Sequence, residues 1–361
     1  MAKLRPVGDW IAGRFEIFAV HPGGMGVVYV AHDHQGPPGR KVIAIKTLRD
    51  EWLLDPELSS RFAAECEIWV KLGSHPNIVR AYGVEVIDGK PHILLELVTG
   101  GDLRRRIGST DFDASRVLQV GVQFCLGMEH ATRQGLACHR DVKPGNLMLA
   151  EDGTLKITGF GLAVVRDEMY AGETDPYGVI RKRSIALVEV SEPVPIRHDD
   201  PRDRPEVAGR HRRDPGPSLV GSDDTIDYAP AGVRDDDAPH LRLTQTGSLM
   251  GTMPYMAPEQ FRDAKGVDVR ADIYAFGIVL FQLLTGELPF HGKTVARLDR
   301  AHSHYAPPSV VPAIPRKYAR EARSIDDIVQ RCLRKEPAER YADMEELRRD
   351  LFHVVRRLEG H

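Results

Sequence analysis

The chain has 361 residues, 42% of them apolar and 28% charged, with a formal net charge of −3. That length fits one large two-lobed domain or two medium ones, and the apolar share is enough to close a substantial core. The near-balanced charge excludes an electrostatic nucleic-acid binder, and four scattered cysteines (Cys66, Cys125, Cys138, Cys332) exclude a disulfide framework or a cysteine metal site.

Met1 to Trp10 is polar and carries Pro6, so no leader pattern is visible there. The longest charge-free apolar stretch, Ile273 to Thr285, is too short to span a bilayer. A soluble, cytoplasmic protein is expected.

Short strand-like runs dominate from Arg14 to Val98: Phe15–Val20, Val27–Ala31, Val42–Thr47, Val84–Ile87 and His92–Leu97. Between the first two strands lies the glycine-rich turn Gly23, Gly24, Met25, Gly26, where missing side chains let backbone amides approach phosphate oxygens. The turn leads into a strand and not a helix, which separates it from a dinucleotide-binding turn.

A helical segment from Asp55 to Leu72 interrupts the strands. Leu58, Phe62, Trp69 and Leu72 form its inward stripe, and Glu65 falls on the same stripe. A carboxylate on an apolar face needs a cation. Period-two alternation puts Lys46 on the face of Val42 and Ala44, which makes it the natural partner.

Helical patterns prevail from Gly101 to Arg166 and from Tyr255 onward. Between them, residues 167–241 are crowded with Pro, Asp, Arg and Gly, a composition expected of a disordered insertion. Ahead of it, His139-Arg-Asp141-Val-Lys143-Pro-Gly-Asn146 puts an acid, a base and a metal-ligating amide within eight residues, before the short strand Leu147–Leu149. That set suits phosphoryl transfer: Asp141 to accept a hydroxyl proton, Lys143 to neutralise a moving phosphate, Asn146 to hold a cation.

With these motifs the chain resembles the protein kinase superfamily, in particular the bacterial serine/threonine kinases, from about Arg14 to Leu351. The resemblance implies an α+β, two-lobed fold: a β-rich nucleotide-binding lobe over 14–97 and a mainly helical lobe over 98–355 that holds the catalytic loop. It implies ATP with Mg²⁺ or Mn²⁺ as cofactors, protein substrates, and a homodimer for autophosphorylation. Lys46 then matches the lysine that grips the α/β phosphates and Glu65 its helix partner. Leu95 and Glu96 match the hinge that meets adenine, and Val20, Val28, Ala44, Val98 and Leu149 match the residues around the ring. Asp141 matches the catalytic base, and Lys143 favours serine or threonine acceptors.

Further on, the segment from Gly251 to Glu259 resembles the one that receives the substrate, with Thr252 approaching Lys143 and Asp141. By the same resemblance Glu259 pairs with Arg340, and Asp272, opening the apolar helix Ile273–Leu284, holds the backbone of the His139–Asp141 loop. Thr244, Thr246 and Ser248 resemble autophosphorylated positions, with Arg140 placed to receive such a phosphate. Roughly a hundred residues separate Gly161 from Ala257, where relatives use a few tens.

Two positions depart from the pattern. His21 stands where the first loop glycine is expected. Gly159, in Thr158-Gly159-Phe160-Gly161, stands where the family has a metal-binding aspartate, although Phe160 keeps its packing role. Losing one well-placed stabiliser of transition-state charge costs on the order of 10²–10³ in rate. The sequence therefore supports a serine/threonine kinase with weak or atypical metal handling. It equally supports a pseudokinase that acts as a nucleotide-binding or scaffold module.

Overall fold

The computed structural model describes residues 4–23, 26–37, 40–165, 252–262 and 266–360. The stretch 167–241, Gly24, Gly251, Thr244, Thr246 and Ser248 lie outside the described residues.

The first part of the chain builds one antiparallel sheet from β1 (Trp10–Ile11), β2 (Phe15–Pro22), β3 (Gly26–Asp33), β4 (Val42–Leu48), β5 (Ala81–Ile87) and β6 (Lys90–Glu96). Its strand order is β1-β2-β3-β4-β6-β5. It starts ahead of Arg14, because Trp10 and Ile11 pair with Glu16 and Phe15. Successive side chains point to opposite faces, so β4 sends Ile43 and Ile45 to one apolar cluster and Ala44 and Leu48 to the other. The outer face closes over a cluster of Ile11, Phe15, Ile17, Tyr29 and Leu94.

Helix α1 (Pro56–Leu72) covers the other face. Its capping residue is Asp55, whose carboxylate accepts from Leu58 N at 3.1 Å, and Pro56 sits in the first turn, where its missing N–H costs nothing. Leu58, Phe62, Cys66, Trp69 and Leu72 are all buried, so the apolar stripe lies where its spacing puts it.

The second part is mainly helical: α2 (Ala114–Arg133), α3 (Pro258–Arg262), α4 (Val269–Thr285), α5 (Val295–His304), α6 (Ala322–Cys332) and α7 (Met344–Leu358). Short strands β7 (Leu136–Cys138), β8 (Leu147–Leu149), β9 (Leu155–Ile157) and β10 (Val164–Val165) form two small antiparallel ladders between α2 and α3. Helix α4 is buried almost all round, and Phe276 stacks on Phe124 of α2 at 4.0 Å. It begins at Val269, capped by the Asp268 carboxylate, and ends at Gly286 in a left-handed conformation (φ 83°). Asp272 therefore stands within the first turn and does not open the helix.

One contiguous core cluster runs from Ala44 and Ile93 of the sheet through α1 into α2, α4, α6 and α7. No helix among the described residues is long and apolar enough to cross a membrane.

Candidate functional site

Lys46 and Glu65 meet. The Lys46 ammonium donates to Oε1 of Glu65 and lies 5.7 Å from the centre of the Trp69 ring. Glu65 is 5% exposed, so the lysine compensates a carboxylate that would otherwise be buried alone. Gly161 closes on the same pair: a Cβ there would lie 3.0 Å from Glu65 Oε2. Cys66 next door is no nucleophile, because burial, and then Glu65, pushes its thiol up to about 12.

The loop after β7 is held from beneath by Asp272. Its carboxylate accepts His139 N at 2.7 Å and Arg140 N at 2.9 Å, two amides that a tight left-handed turn at Arg140 (φ 65°) aims at one point. Burial drives the Asp272 pKa up, and His139 together with the two amides opposes that rise. His139 is fully buried; its Nε2–H donates to Thr158 O at 3.0 Å, which leaves Nδ1 to accept from Asp141 N at 3.3 Å. The His139 ring lies 4.7 Å from Phe160, and Phe160 meets Trp69 edge-on at 5.6 Å. A continuous column therefore links α4 to α1 through the His139–Asn146 loop.

At the mouth of the cleft three groups form a closed triangle. Oδ1 of Asp141 accepts from Thr252 Oγ1 at 2.8 Å and from Lys143 Nζ at 2.8 Å. Lys143 Nζ also donates to Thr252 Oγ1, at 2.9 Å. Asn146 fixes the other side of the acid, with Nδ2 donating to Asp141 Oδ2 at 2.8 Å and to Asp141 O at 2.7 Å. Chemically this is a carboxylate base, a cation and a hydroxyl held at one point.

Gly159 adopts φ 84° and ψ 41°, a left-handed conformation that glycine takes without strain. A Cβ at this position would lie 2.6 Å from Asn146 Cγ and Nδ2. The residues here do not make up a protein-held divalent cation site. Position 159 offers no ligand, both Asp141 oxygens already accept hydrogen bonds, and only the Asn146 amide oxygen remains. Among the described residues no group of three His, Cys, Asp or Glu side chains could hold a metal.

Ala44, Leu95, Val98 and Leu149 are buried in the main cluster, with Val28 packed against it. Ala44 faces Leu95 across the sheet, and Leu149 N donates to Gly101 O at 2.8 Å. Gly100 permits that approach, since a Cβ there would meet Leu149 O at 2.4 Å. The Glu96 carboxylate pairs with Lys156 at 2.9 Å, and its backbone N–H donates to Arg80 O at 2.9 Å. Val20 packs against the outer cluster. A register shift between Ile17 and Ala19 sets Val20 opposite Tyr29 and brings His21 opposite Val28. Gly23 N donates to Gly26 O at 2.9 Å, which closes the loop.

Glu259 and Arg340 form a two-pronged pair at 2.6 and 2.8 Å. The arginine is fully buried and also donates to the carbonyls of Arg334, Lys335 and Arg270. Sequence reasoning missed Asp102, which caps the short helical turn Leu103–Arg106 beside the His139–Asn146 loop, and Arg104 within that turn; the signal available was the run of three arginines. It also missed the Phe160–His139 contact.

A lysine–carboxylate pair under a glycine turn, facing an acid–lysine–amide loop across a cleft, is the architecture of a protein kinase. The family model described as "Protein kinase domain" matches residues 20–174 and 237–352, and the chain belongs to that family. It is similar to the serine/threonine-protein kinase Pkn1 of Myxococcus xanthus, with 29% identity over 91% of this chain and 36% of that protein. It is also similar to the serine/threonine-protein kinase PrkC of Bacillus subtilis, with 27% identity over 96% of this chain and 41% of that protein. The chain thus spans about two fifths of these curated relatives. Among solved structures, the kinase domain of Mycobacterium tuberculosis PknI matches with a TM-score of 0.56 and 20% identity, over 98% of this chain and 99% of that one, a likeness of fold.

Proposed function

We propose that this protein transfers the γ-phosphate of ATP to serine or threonine hydroxyls of proteins, slowly, because Gly159 supplies no metal ligand. The observation that carries the reading is the Asp141–Lys143–Thr252 triangle, which holds a hydroxyl against a base and a cation at 2.8–2.9 Å. With an acceptor hydroxyl in that place, Asp141 takes its proton as the oxygen–phosphorus bond forms and the bridge to ADP breaks. Lys143 neutralises the phosphoryl group in transit, while Lys46, fixed by Glu65, orients the α and β phosphates. Mg²⁺ or Mn²⁺ arrives with the nucleotide in this reading, and position 159 does not retain it.

A second reading, a pseudokinase that binds nucleotide and signals by conformation, is favoured by the Asn146 carboxamide standing against Gly159. Transfer of labelled γ-phosphate to a generic basic protein separates the two. The first reading expects measurable transfer by wild type, about 10²–10⁴-fold less in Asp141→Asn, and about 10²–10³-fold more in Gly159→Asp. No transfer by wild type, combined with an ATP-dependent rise in melting temperature, supports the second. No transfer and no ATP response defeats both.

In the active reading Thr244, Thr246 and Ser248 are the autophosphorylation acceptors, modified within a homodimer in the cytoplasm. Intact-mass measurement on active protein checks this, and an unchanged mass discards it.

A further inference from the structure

The helical turn Leu103–Arg106 lies where the chain leaves β6 and enters the helical part, against the catalytic-loop turn at Pro144–Asn146. It carries three consecutive arginines and one carboxylate, Asp102. Asp102 caps the turn by accepting Arg104 N at 2.9 Å, and it grips the Arg104 guanidinium through Nε at 3.0 Å and Nη2 at 2.7 Å. That grip orients the side chain without covering it: Arg104 remains 70% exposed, and Nη1 makes no hydrogen bond among the described residues.

The guanidinium is laid against the catalytic loop. A Cβ on Gly145 would lie 3.4 Å from Arg104 Nε and 3.6 Å from Cζ, ordinary van der Waals distances, so the guanidinium packs directly over this residue. Gly145 is two residues from Lys143 and one from Asn146. On the far side, the Tyr255 hydroxyl lies within electrostatic reach of Arg104, and Tyr255 is three residues from Thr252. Arg104 therefore stands on the rim between the loop that holds the base and the segment that presents the hydroxyl. Arg105 and Arg106 make no ion pair among the described residues, and Arg106 Nε is buried without a hydrogen-bond partner. The stretch Asp102–Arg106 thus sets three guanidinium groups against one carboxylate, a net of two positive charges.

We infer that Arg104, supported by Arg105, makes this cleft select acceptor segments with acidic side chains flanking the serine or threonine. The inference deepens the proposed function and rests on it for the identity of the acceptor. A peptide running past the Asp141–Lys143–Thr252 triangle passes this rim, where a carboxylate meets the free Nη1 edge and a lysine meets like charge.

The test uses the full chain, as wild type, Arg104→Gln and Arg104→Glu, with three peptides. Each has one threonine whose neighbours within three residues on either side are glutamates, alanines or lysines. Two readouts run in parallel: kcat/KM for phosphorylation, and anisotropy binding of labelled peptide with a non-hydrolysable ATP analogue present. Wild type is expected to favour the glutamate over the lysine peptide by about threefold to tenfold, the size of a few part-exposed charge pairs. Arg104→Gln is expected to shrink that ratio and Arg104→Glu to reverse it. The preference also fades between low and high salt, as screening requires. Equal ratios in wild type and Arg104→Glu overturn the inference, as does a wild-type preference for lysine. If no peptide is phosphorylated but the binding ratio still follows Arg104, the transfer reading falls and the acidic selectivity stands. If none of the peptides binds, the selectivity falls.

Discussion

The Asn146 carboxamide stands within 2.6 Å of the point where a side chain on Gly159 would begin. The Asn146 side chain fills the space that a side chain at position 159 would need. The backbone at 159 keeps the left-handed turn (φ 84°) that directs Phe160 into the core, and only the ligand is missing.

Replacing Gly159 by Asp should therefore cost stability before it restores anything. A left-handed non-glycine residue carries about 1–2 kcal/mol of strain, and Asn146 must also shift. In EDTA the variant should melt a few degrees below wild type. With ATP and Mg²⁺ it should gain more than wild type does, since a ligand stabilises by mass action. Matching melting responses in both buffers would show that the glycine is incidental.

Lys46→Met leaves Glu65 buried without a cation. Removing one partner of such a pair costs about 3 kcal/mol, at the lower end of the usual range because the Lys46 side chain is 26% exposed. Urea unfolding should show that loss, and Lys46→Met/Glu65→Gln should regain part of it. Additive effects in the double-mutant cycle would mean the two groups are not coupled.

Arg340→Lys should be severe even though the charge is retained. The guanidinium is fully buried and meets Glu259 and three backbone carbonyls, a fork that an ammonium cannot reproduce. A loss of about 3 kcal/mol is expected, or about 6–12 °C in melting temperature. A shift under about 2 °C would contradict the brace.

The acid limb of stability should include His302. It is fully buried between Tyr274, Phe261 and Phe290, and burial, followed by Lys335, lowers its pKa to about 3. The unfolded chain takes up this proton near pH 6.5 and the folded chain does not, so the contribution is intact above about 6.5 and erodes as pH falls towards 3. The slope is about 1.4 kcal/mol per pH unit. Burial also lowers His75 and His92, which steepens the same limb. His302→Gln keeps an acceptor for the Tyr274 hydroxyl and should flatten the curve by one proton between about pH 6.5 and 5. Parallel curves for the two proteins would refute it.

Much of the site was legible because its parts obey local rules. Alternation along β4 and the 3.6-residue period of α1 were enough to bring Lys46 to Glu65, whose sequence separation is short. Asp141, Lys143 and Asn146 share one loop, so their convergence needed no tertiary knowledge. A single-residue bulge in β2 sets His21, and not Val20, opposite Val28, and no periodicity reports a bulge in advance. The contact of Arg104 with Gly145 was illegible for a different reason: the two residues lie 41 positions apart in the chain. Likewise the His139–Phe160–Trp69 column joins three elements that only the closed fold brings together.

That column has a consequence for how the protein would respond to ligands. Its aromatic rings and the Asp272 carboxylate brace the cleft from inside through the chain's own side chains. Nucleotide would then arrive at a receptacle already shaped for it, so occupancy, more than rearrangement, is what the rest of the molecule has to read.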